Sequence, residues 1–247
     1  GAWSATSTGT AYSAGQNVSA AAYNSAGTSA ASSITITGGS TVVTASKIPH
    51  TGITANQCYG AGSNALINCS DPSAIALSGA GKQDGMYFNI NTMSYSLVEQ
   101  KGGGSHDKTE CIKDNVTGLI WEGKMPQGSG HWRAADRTFT NFGDRRLGDS
   151  SAYVDIVNNY FLCGYSDWRI PSIEELQSIA DYGKTDPEFA IDKTWFLNSI
   201  PTYTWSLMPY LGDIELIWVI NFSRGLGWTY AEFSDRELGV RLVRGSR

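Results

Sequence analysis

The spacing of apolar positions in residues 152–162 predicts an amphipathic helix. Asp149 or Ser150 is suited to begin it, because either side chain can accept a hydrogen bond from a backbone N–H of the first turn. We expect the helix to pack on a core through a broad apolar face, which consists of Tyr153, Ile156, Val157, Tyr160 and Phe161.

A second helix is predicted after Ser172, with a length of about ten residues. Ser172 and Glu175 have the spacing of a capping box, in which each side chain binds a backbone N–H of the other residue. Pro171 favours an extended segment before the helix, and Gly183 is expected to cap its end in a left-handed conformation. The apolar stripe of this helix is Ile173, Leu176, Ile179 and Ala180.

Short apolar runs near the end of the chain predict the strands of one antiparallel sheet. Residues 216–220 are almost continuously apolar, as in a central strand that is buried on both faces. The strands expected in this sheet are 203–206, 216–222, 227–230 and 240–243. Two further strands are expected at 86–90 and at 119–121.

Residues 1–50 form a segment of different composition, rich in Ala, Ser, Thr and Gly, in which Lys47 is the only charged residue. Residues 34–37 and 41–44 flank a Gly-Gly pair and predict two β-strands. The segment has too few large side chains to form a core by itself. We expect it to add a strand to a second copy of the chain, or otherwise to pack on its own C-terminal domain.

The sequence thus indicates three parts: a β-rich arm at 1–50, a connecting β segment at 51–106, and an α+β domain at 107–247. The chain has 18 Lys and Arg against 23 Asp and Glu, and its net charge of −5 argues against a nucleic-acid partner. No apolar run approaches the length that a membrane helix needs, so no membrane span is predicted.

The four cysteines allow three disulfide connectivities, of which sequential pairing is favoured: Cys58 with Cys69, and Cys111 with Cys163. The alternative is four reduced thiols. A zinc site is not expected, since there is no C-x-x-C pair and the three histidines are scattered. Two disulfides imply an oxidising compartment, either extracellular or at the cell surface.

Three motifs carry a resemblance to a known family. Residues 168–176 read Trp-Arg-Ile-Pro-Ser-Ile-Glu-Glu-Leu, residues 114–121 form a short strand motif, and residues 240–245 form a closing strand motif. Their order and separation resemble the C-terminal domain of the Legionella collagen-like adhesins, over about residues 111–245. The resemblance implies a C-type-lectin-like fold with two helices and a twisted antiparallel sheet, as in the formylglycine-generating enzymes. The chain has no collagen repeats, so trimerisation through collagen is not implied.

The sequence favours a protein without enzymatic activity or cofactor. Adjacent residues Glu174 and Glu175 point in different directions on a helix, and Glu175 is used in the cap. The cysteine pair of the formylglycine-generating enzymes has no counterpart, because no cysteine follows Cys163. The calcium motifs of sugar-binding C-type lectins are also missing. A structural calcium ion is the alternative role of four loop acids: Asp213, Glu215, Asp235 and Glu237.

Two regions are predicted to bind a ligand. The first is a polar insertion at 124–149, whose binding residues would be His131, Trp132, Arg133, Arg137, Arg145 and Arg146. The resemblance implies an anionic, sulfated glycan, and guanidinium groups match such groups well. Local acids could instead neutralise the insertion: Asp136, Asp144 and Asp149.

The second region is the set of late loops, which is rich in the residue types that anchor interfaces. Its binding residues would be Tyr210, Arg224, Trp228, Tyr230 and Arg236. Trp205 and Trp218 are expected in the core instead.

The expected function is that of an extracellular adhesin or ligand-binding module that recognises a glycan or a surface receptor. The alternative is a structural subunit of an extracellular filament or pilus-like homopolymer, in which the arm connects neighbouring subunits. A third hypothesis is a receptor-binding protein of a phage or of a retroelement-diversified system.

Overall fold

A computed structural model describes residues 17–23, 29–35, 48–78, 83–184, 189–213, 215–223 and 228–245. The chain divides into two units, Gly1–Ala45 and Ser46–Arg247. In the first unit, β1 (Asn17–Tyr23) pairs with β2 (Ser29–Thr35) as an antiparallel hairpin. The strand predicted from residue 34 is therefore the end of β2, and the strand predicted at 41–44 lies outside the described residues.

The larger unit opens with a segment held by a disulfide. It contains β3 (Cys58–Tyr59), β4 (Leu66–Ile67), α1 (Pro72–Ser78) and a 3-10 helix (Asp84–Tyr87). The 3-10 helix corrects the strand predicted at 86–90. Gly85 packs so closely on the disulfide that an added Cβ would lie 2.7 Å from Cys69 Sγ. This close packing favours a tight helical turn over an extended strand.

The family-like motifs begin after this segment. The following elements are β5 (Tyr95–Leu97), β6 (Cys111–Asp114), β7 (Ile120–Glu122), β8 (Thr138–Phe139), α2 (Ser150–Asn159), a 3-10 helix (Leu162–Gly164) and α3 (Ile173–Ser178). The last strands are β9 (Tyr203–Pro209), β10 (Leu216–Asn221), β11 (Trp228–Phe233), β12 (Leu238–Gly239) and β13 (Val243–Arg244). The α+β class is confirmed.

The strands form two main sheets, with the orders β11-β10-β9-β12-β8 and β13-β7-β6-β5. The prediction of one antiparallel sheet is wrong in two respects. The last two strands lie in different sheets, since β13 pairs with β7. In addition, β12 pairs with β9 in parallel. Gly239 permits this pairing, because an added Cβ would lie only 3.0 Å from Thr202 Cγ2.

Both predicted helices are present, with different lengths. The side chain of Asp149 begins α2 by accepting from the Ser151 amide at 3.0 Å. The capping box of α3 is confirmed, but this helix has six residues and ends at Ser178. Gly183 is not its cap, and an added Cβ there would lie 2.1 Å from Gly52 O. The chain leaves the helix early because Tyr182 pairs with Thr51, at an N–O distance of 2.7 Å.

Buried tryptophans hold the sheets and helices together. Trp121 lies in a core cluster with Leu176 of α3, whereas Trp168 and Trp205 lie in a second cluster with Tyr153 of α2. The indole of Trp205 donates to Phe139 O at 2.7 Å, which confirms its expected place in the core.

Two disulfides complete the unit, and both predicted pairings are confirmed. Cys58 is joined to Cys69, and Cys111 to Cys163. The second disulfide links the beginning of β6 to the 3-10 helix that follows α2. It therefore ties the first strand of the family-like region to the far end of its longest helix.

Candidate binding surface

Aromatic side chains gather where the insertion meets α2. The ring of Trp132 stacks on His131 at a centroid distance of 5.5 Å and meets Tyr160 edge-on at 5.3 Å. Ile156 lies one helical turn before Tyr160 on the same side of α2. Ile156 is 45% exposed and Tyr160 is 61% exposed. We call this group, His131, Trp132, Ile156 and Tyr160, the aromatic face.

The turn that presents the aromatic face is fixed from beneath by Arg133. This residue is only 4% exposed, and its guanidinium donates to Thr109 O at 2.8 Å and to Gly123 O at 3.1 Å. Its amide donates to His131 Nδ1 at 3.0 Å. Arg133 was predicted to contact ligand, but its burial makes it an anchor for the insertion.

Electrostatics keep the histidine of the aromatic face neutral. Desolvation, with a smaller contribution from the Arg133 charge, lowers the pKa of His131. The Nδ1 atom accepts a hydrogen bond, which requires an unprotonated nitrogen there. The imidazole therefore presents an uncharged ring beside the indole of Trp132.

The remaining arginines of the insertion are exposed, and two of them pair with acids. Arg145 lies 3.4 Å from Asp155, and Arg146 forms an ion pair with Asp144. Arg137 donates to Gly130 O at 3.3 Å, and the described residues offer it no acidic partner. Much of the positive charge is thus neutralised locally. Of the three acids expected to do this, Asp144 does so, whereas Asp149 is buried as the helix cap.

The late loops form a separate group. Tyr210 meets Trp218 edge-on at 5.3 Å, and Arg236 is exposed. Trp218 is only partly buried, so it is less enclosed than predicted. Trp228 and Tyr230 lie on β11 opposite Asn221 and Val219 of β10. Arg224 lies outside the described residues.

Close to the late loops, an open groove of about 530 Å³ runs between the start of α3 and β9. Its lining residues are Ser172, Glu174, Glu175, Leu207, Met208 and Pro209. Glu175 is held there by Arg169, which approaches it with both terminal nitrogens at 2.6 and 2.7 Å. The groove therefore offers one exposed acid, Glu174, and an apolar wall.

A buried charged network lies behind the aromatic face. The carboxylate of Glu122 accepts from Lys124 Nζ at 2.9 Å and from the hydroxyl of Tyr153. Burial lowers the pKa of Lys124 to about 8, against the opposing effect of Glu122. Burial also raises the pKa of Tyr153, and the Glu122 charge adds to that effect. This network is not predictable from the sequence, because charged residues are expected at the surface by default.

The described residues provide little for catalysis or metal binding. His106 Nδ1 lies 3.2 Å from Glu110, and Asp107 accepts from the Thr109 amide, so both serve a local turn. The one group of metal-ligating types found in the described ranges is His106 with Cys111 and Cys163. These cysteines form a disulfide. The four loop acids considered for calcium do not form such a group.

No helix in the described parts of the chain has the length and apolar character to cross a membrane. Together, these features define a disulfide-linked α+β domain with an exposed aromatic face. The chain belongs to the family of Lcl C-terminal domains, that is, of the Legionella collagen-like protein, and the family model matches residues 110–244. A comparison with curated proteins finds no match.

Proposed function

We propose that this protein is an extracellular, non-enzymatic adhesion module with a C-type-lectin-like fold, which binds a surface glycan or receptor through the aromatic face. The observation that carries the proposal is the exposure of Tyr160 and Ile156 beside the indole of Trp132. Adjacent exposed apolar groups of this kind are typical of binding surfaces. Tyr and Trp anchor such contacts because they bury a large, rigid area.

The charges around the aromatic face favour a ligand of low charge density. Arg145 and Arg146 already pair with Asp155 and Asp144, and Arg133 is buried. Arg137 has no acidic partner among the described residues, so its guanidinium can bind a carboxylate or sulfate of the ligand. A glycan that stacks its C–H surface on Trp132 and Tyr160 and carries occasional acidic groups fits these properties.

The fold and location parts of the proposal have their own support. The arrangement of α2 and α3 with two main sheets, in which β12 lies inside one sheet and β13 at the edge of the other, is compatible with a C-type-lectin-like domain. Two disulfides favour an oxidising, extracytoplasmic compartment.

A glycan array tests the binding site through Tyr160→Ala, with Tyr59→Ala as a matched control on β3. Tyr59 is 49% exposed, so both variants remove an exposed tyrosine ring. We expect Tyr160→Ala to weaken binding by about tenfold, the loss typical of an interface anchor, with an unchanged melting temperature. Equal array profiles for the two variants would exclude the aromatic face as the site.

The alternative function, a subunit of an extracellular polymer, is supported by the N-terminal hairpin. Within the described residues, β1 and β2 pair only with each other, so each leaves one backbone edge unpaired. Two-stranded hairpins are at best marginally stable alone, and a free edge can pair with another chain. Light scattering of a chain that lacks residues 1–45 tests this role, because an unchanged assembly state would contradict it.

A further inference from the structure

A small cavity adjoins the buried charged network. The centre of a water-sized sphere can move through about 30 Å³ of it, so the cavity has room for at least one water molecule or one monatomic ion. The polar groups that surround it come from Lys124, Asn198, Ser199, Thr204 and Arg241. Lys124 and Arg241 are each 6% exposed, so both of their charges are held away from solvent.

The charges around the cavity do not balance. Three buried cations, Lys124, Arg133 and Arg241, lie near one buried carboxylate, Glu122. Lys124 forms an ion pair with Glu122, whereas neither arginine has an acidic partner within hydrogen-bonding distance among the described residues. Lys124 does not relieve the excess by losing its proton, because a pKa of about 8 leaves it mostly protonated at pH 7.

The single negative charge of Glu122 is already paired with Lys124. Its Oε1 accepts from Lys124 and Tyr153, and its Oε2 accepts from the Leu242 amide at 3.0 Å. The guanidinium of Arg241 is instead directed to the backbone O of Glu122 at 2.7 Å and to Ser199 Oγ at 3.0 Å. Buried charges without a counter-charge are strongly unfavourable, so a further negative group is expected nearby.

Hydrogen-bond donors remain available at the cavity. Lys124 Nζ has three N–H donors and uses two, on Glu122 and Tyr153. Arg241 has five donors and uses two. Thr204 is 7% exposed, and its hydroxyl has no partner in the described part of the chain. These donors belong to two cations and one hydroxyl, which is the chemistry that coordinates an anion.

We propose that the cavity binds a small inorganic anion of the size of chloride, held between Lys124 and Arg241. Such an ion supplies the missing negative charge, accepts hydrogen bonds from the unused donors, and fits within the cavity. Water would fill the same volume but would leave the excess positive charge uncompensated. The anion therefore acts as a structural ion of the fold, independent of any ligand at the aromatic face.

Thermal unfolding of the full chain tests the proposal by titration with sodium chloride against sodium gluconate at constant ionic strength. The anion should bind the folded state and raise the melting temperature with a saturating dependence on chloride. Constant ionic strength removes the general screening effect of salt. Crystals soaked in bromide should show anomalous density within hydrogen-bonding distance of Lys124 Nζ and the Arg241 guanidinium.

Thr204→Val provides a mild variant, since removal of Lys124 or Arg241 risks loss of the fold. It should raise the chloride concentration at half-saturation by about tenfold, as expected for one lost hydrogen bond to an ion. Thr138→Val is the matched control, because Thr138 lies exposed on β8 of the same sheet. Equal melting temperatures in chloride and gluconate, without bromide density, would show that the cavity holds water and would overturn the proposal.

Discussion

Glu175 receives both terminal nitrogens of Arg169 while it caps α3. Its Oε1 and Oε2 lie 2.6 and 2.7 Å from the guanidinium, and Oε2 also accepts from the Ser172 amide at 2.8 Å. One carboxylate thus fixes the extended segment before the helix and the first turn of the helix. The short α3 depends on this arrangement, since six residues are too few for a helix to be stable alone.

Ser172→Ala should lower the free energy of unfolding by about 1 kcal/mol, because the Glu175 amide then loses the hydroxyl that caps it. Urea denaturation measures this change, and glycan binding should be unaffected. A variant with normal stability but lost binding would show that Ser172 contacts ligand, contrary to the capping role.

Replacement of both cysteines of a disulfide by alanine should be more destabilising for Cys111–Cys163 than for Cys58–Cys69. The sequence separations are 52 and 11 residues. The chain-entropy model then gives losses of about 4 and about 3 kcal/mol. Denaturant unfolding of the two double variants gives the comparison, and the reverse order would contradict it.

The stability of the folded chain should rise between about pH 8 and about pH 10 because of Lys124. Its pKa is about 8 when folded, compared with about 10.4 for an unfolded lysine. In this interval the unfolded chain binds more protons, so the free energy of unfolding increases with pH. Urea midpoints from pH 7 to pH 10 in chloride-free buffer measure the slope, because an anion bound beside Lys124 would raise its pKa.

In the Lys124→Met variant the free energy of unfolding should no longer increase between pH 8 and pH 10, whatever its absolute value. In the control variant Lys113→Met, whose lysine is exposed, the increase should remain. Above about pH 10 the raised pKa of Tyr153 acts in the opposite direction, because only the unfolded tyrosine then ionises. A flat midpoint between pH 8 and pH 10 in the unmodified chain would contradict the assignment to Lys124.

Arg133→Met and Arg137→Met should separate the anchoring from the binding function of the insertion. Arg133→Met should lower the melting temperature, since the carbonyls of Thr109 and Gly123 lose their donor. Arg137→Met should leave stability unchanged and weaken binding of an acidic glycan, more at low salt than at high salt. If only Arg133→Met changed the salt dependence of binding, the assignment of the two roles would be wrong.

Local sequence patterns were sufficient to predict the capping box of α3 and both disulfides. The capping box depends on two residues three apart, and the disulfides join cysteines that are sequential partners. The end of α3 could not be predicted in this way. It depends on residues 51 and 52, more than a hundred positions earlier in the chain.

The sequence predicts the surface least well where polar residues are buried or apolar residues are exposed. Arg133 and Lys124 are buried although cations usually lie outside, and Tyr160 is exposed although it continues an apolar helical face. One signal was present: the predicted face of α2 had five apolar residues, more than a short helix can bury against a single core. Three of the five are exposed, Ile156, Tyr160 and Phe161, and the first two form half of the aromatic face.

The cross-link between Cys111 and Cys163 also constrains the turn that borders the aromatic face. Cys163 and Phe161 both have positive φ angles, of 53° and 54°, in the turn directly after Tyr160. Non-glycine residues hold this conformation only when the surrounding structure enforces it. A reduced chain lacks that constraint, so under the proposed adhesion function the binding surface would mature only when this bond forms.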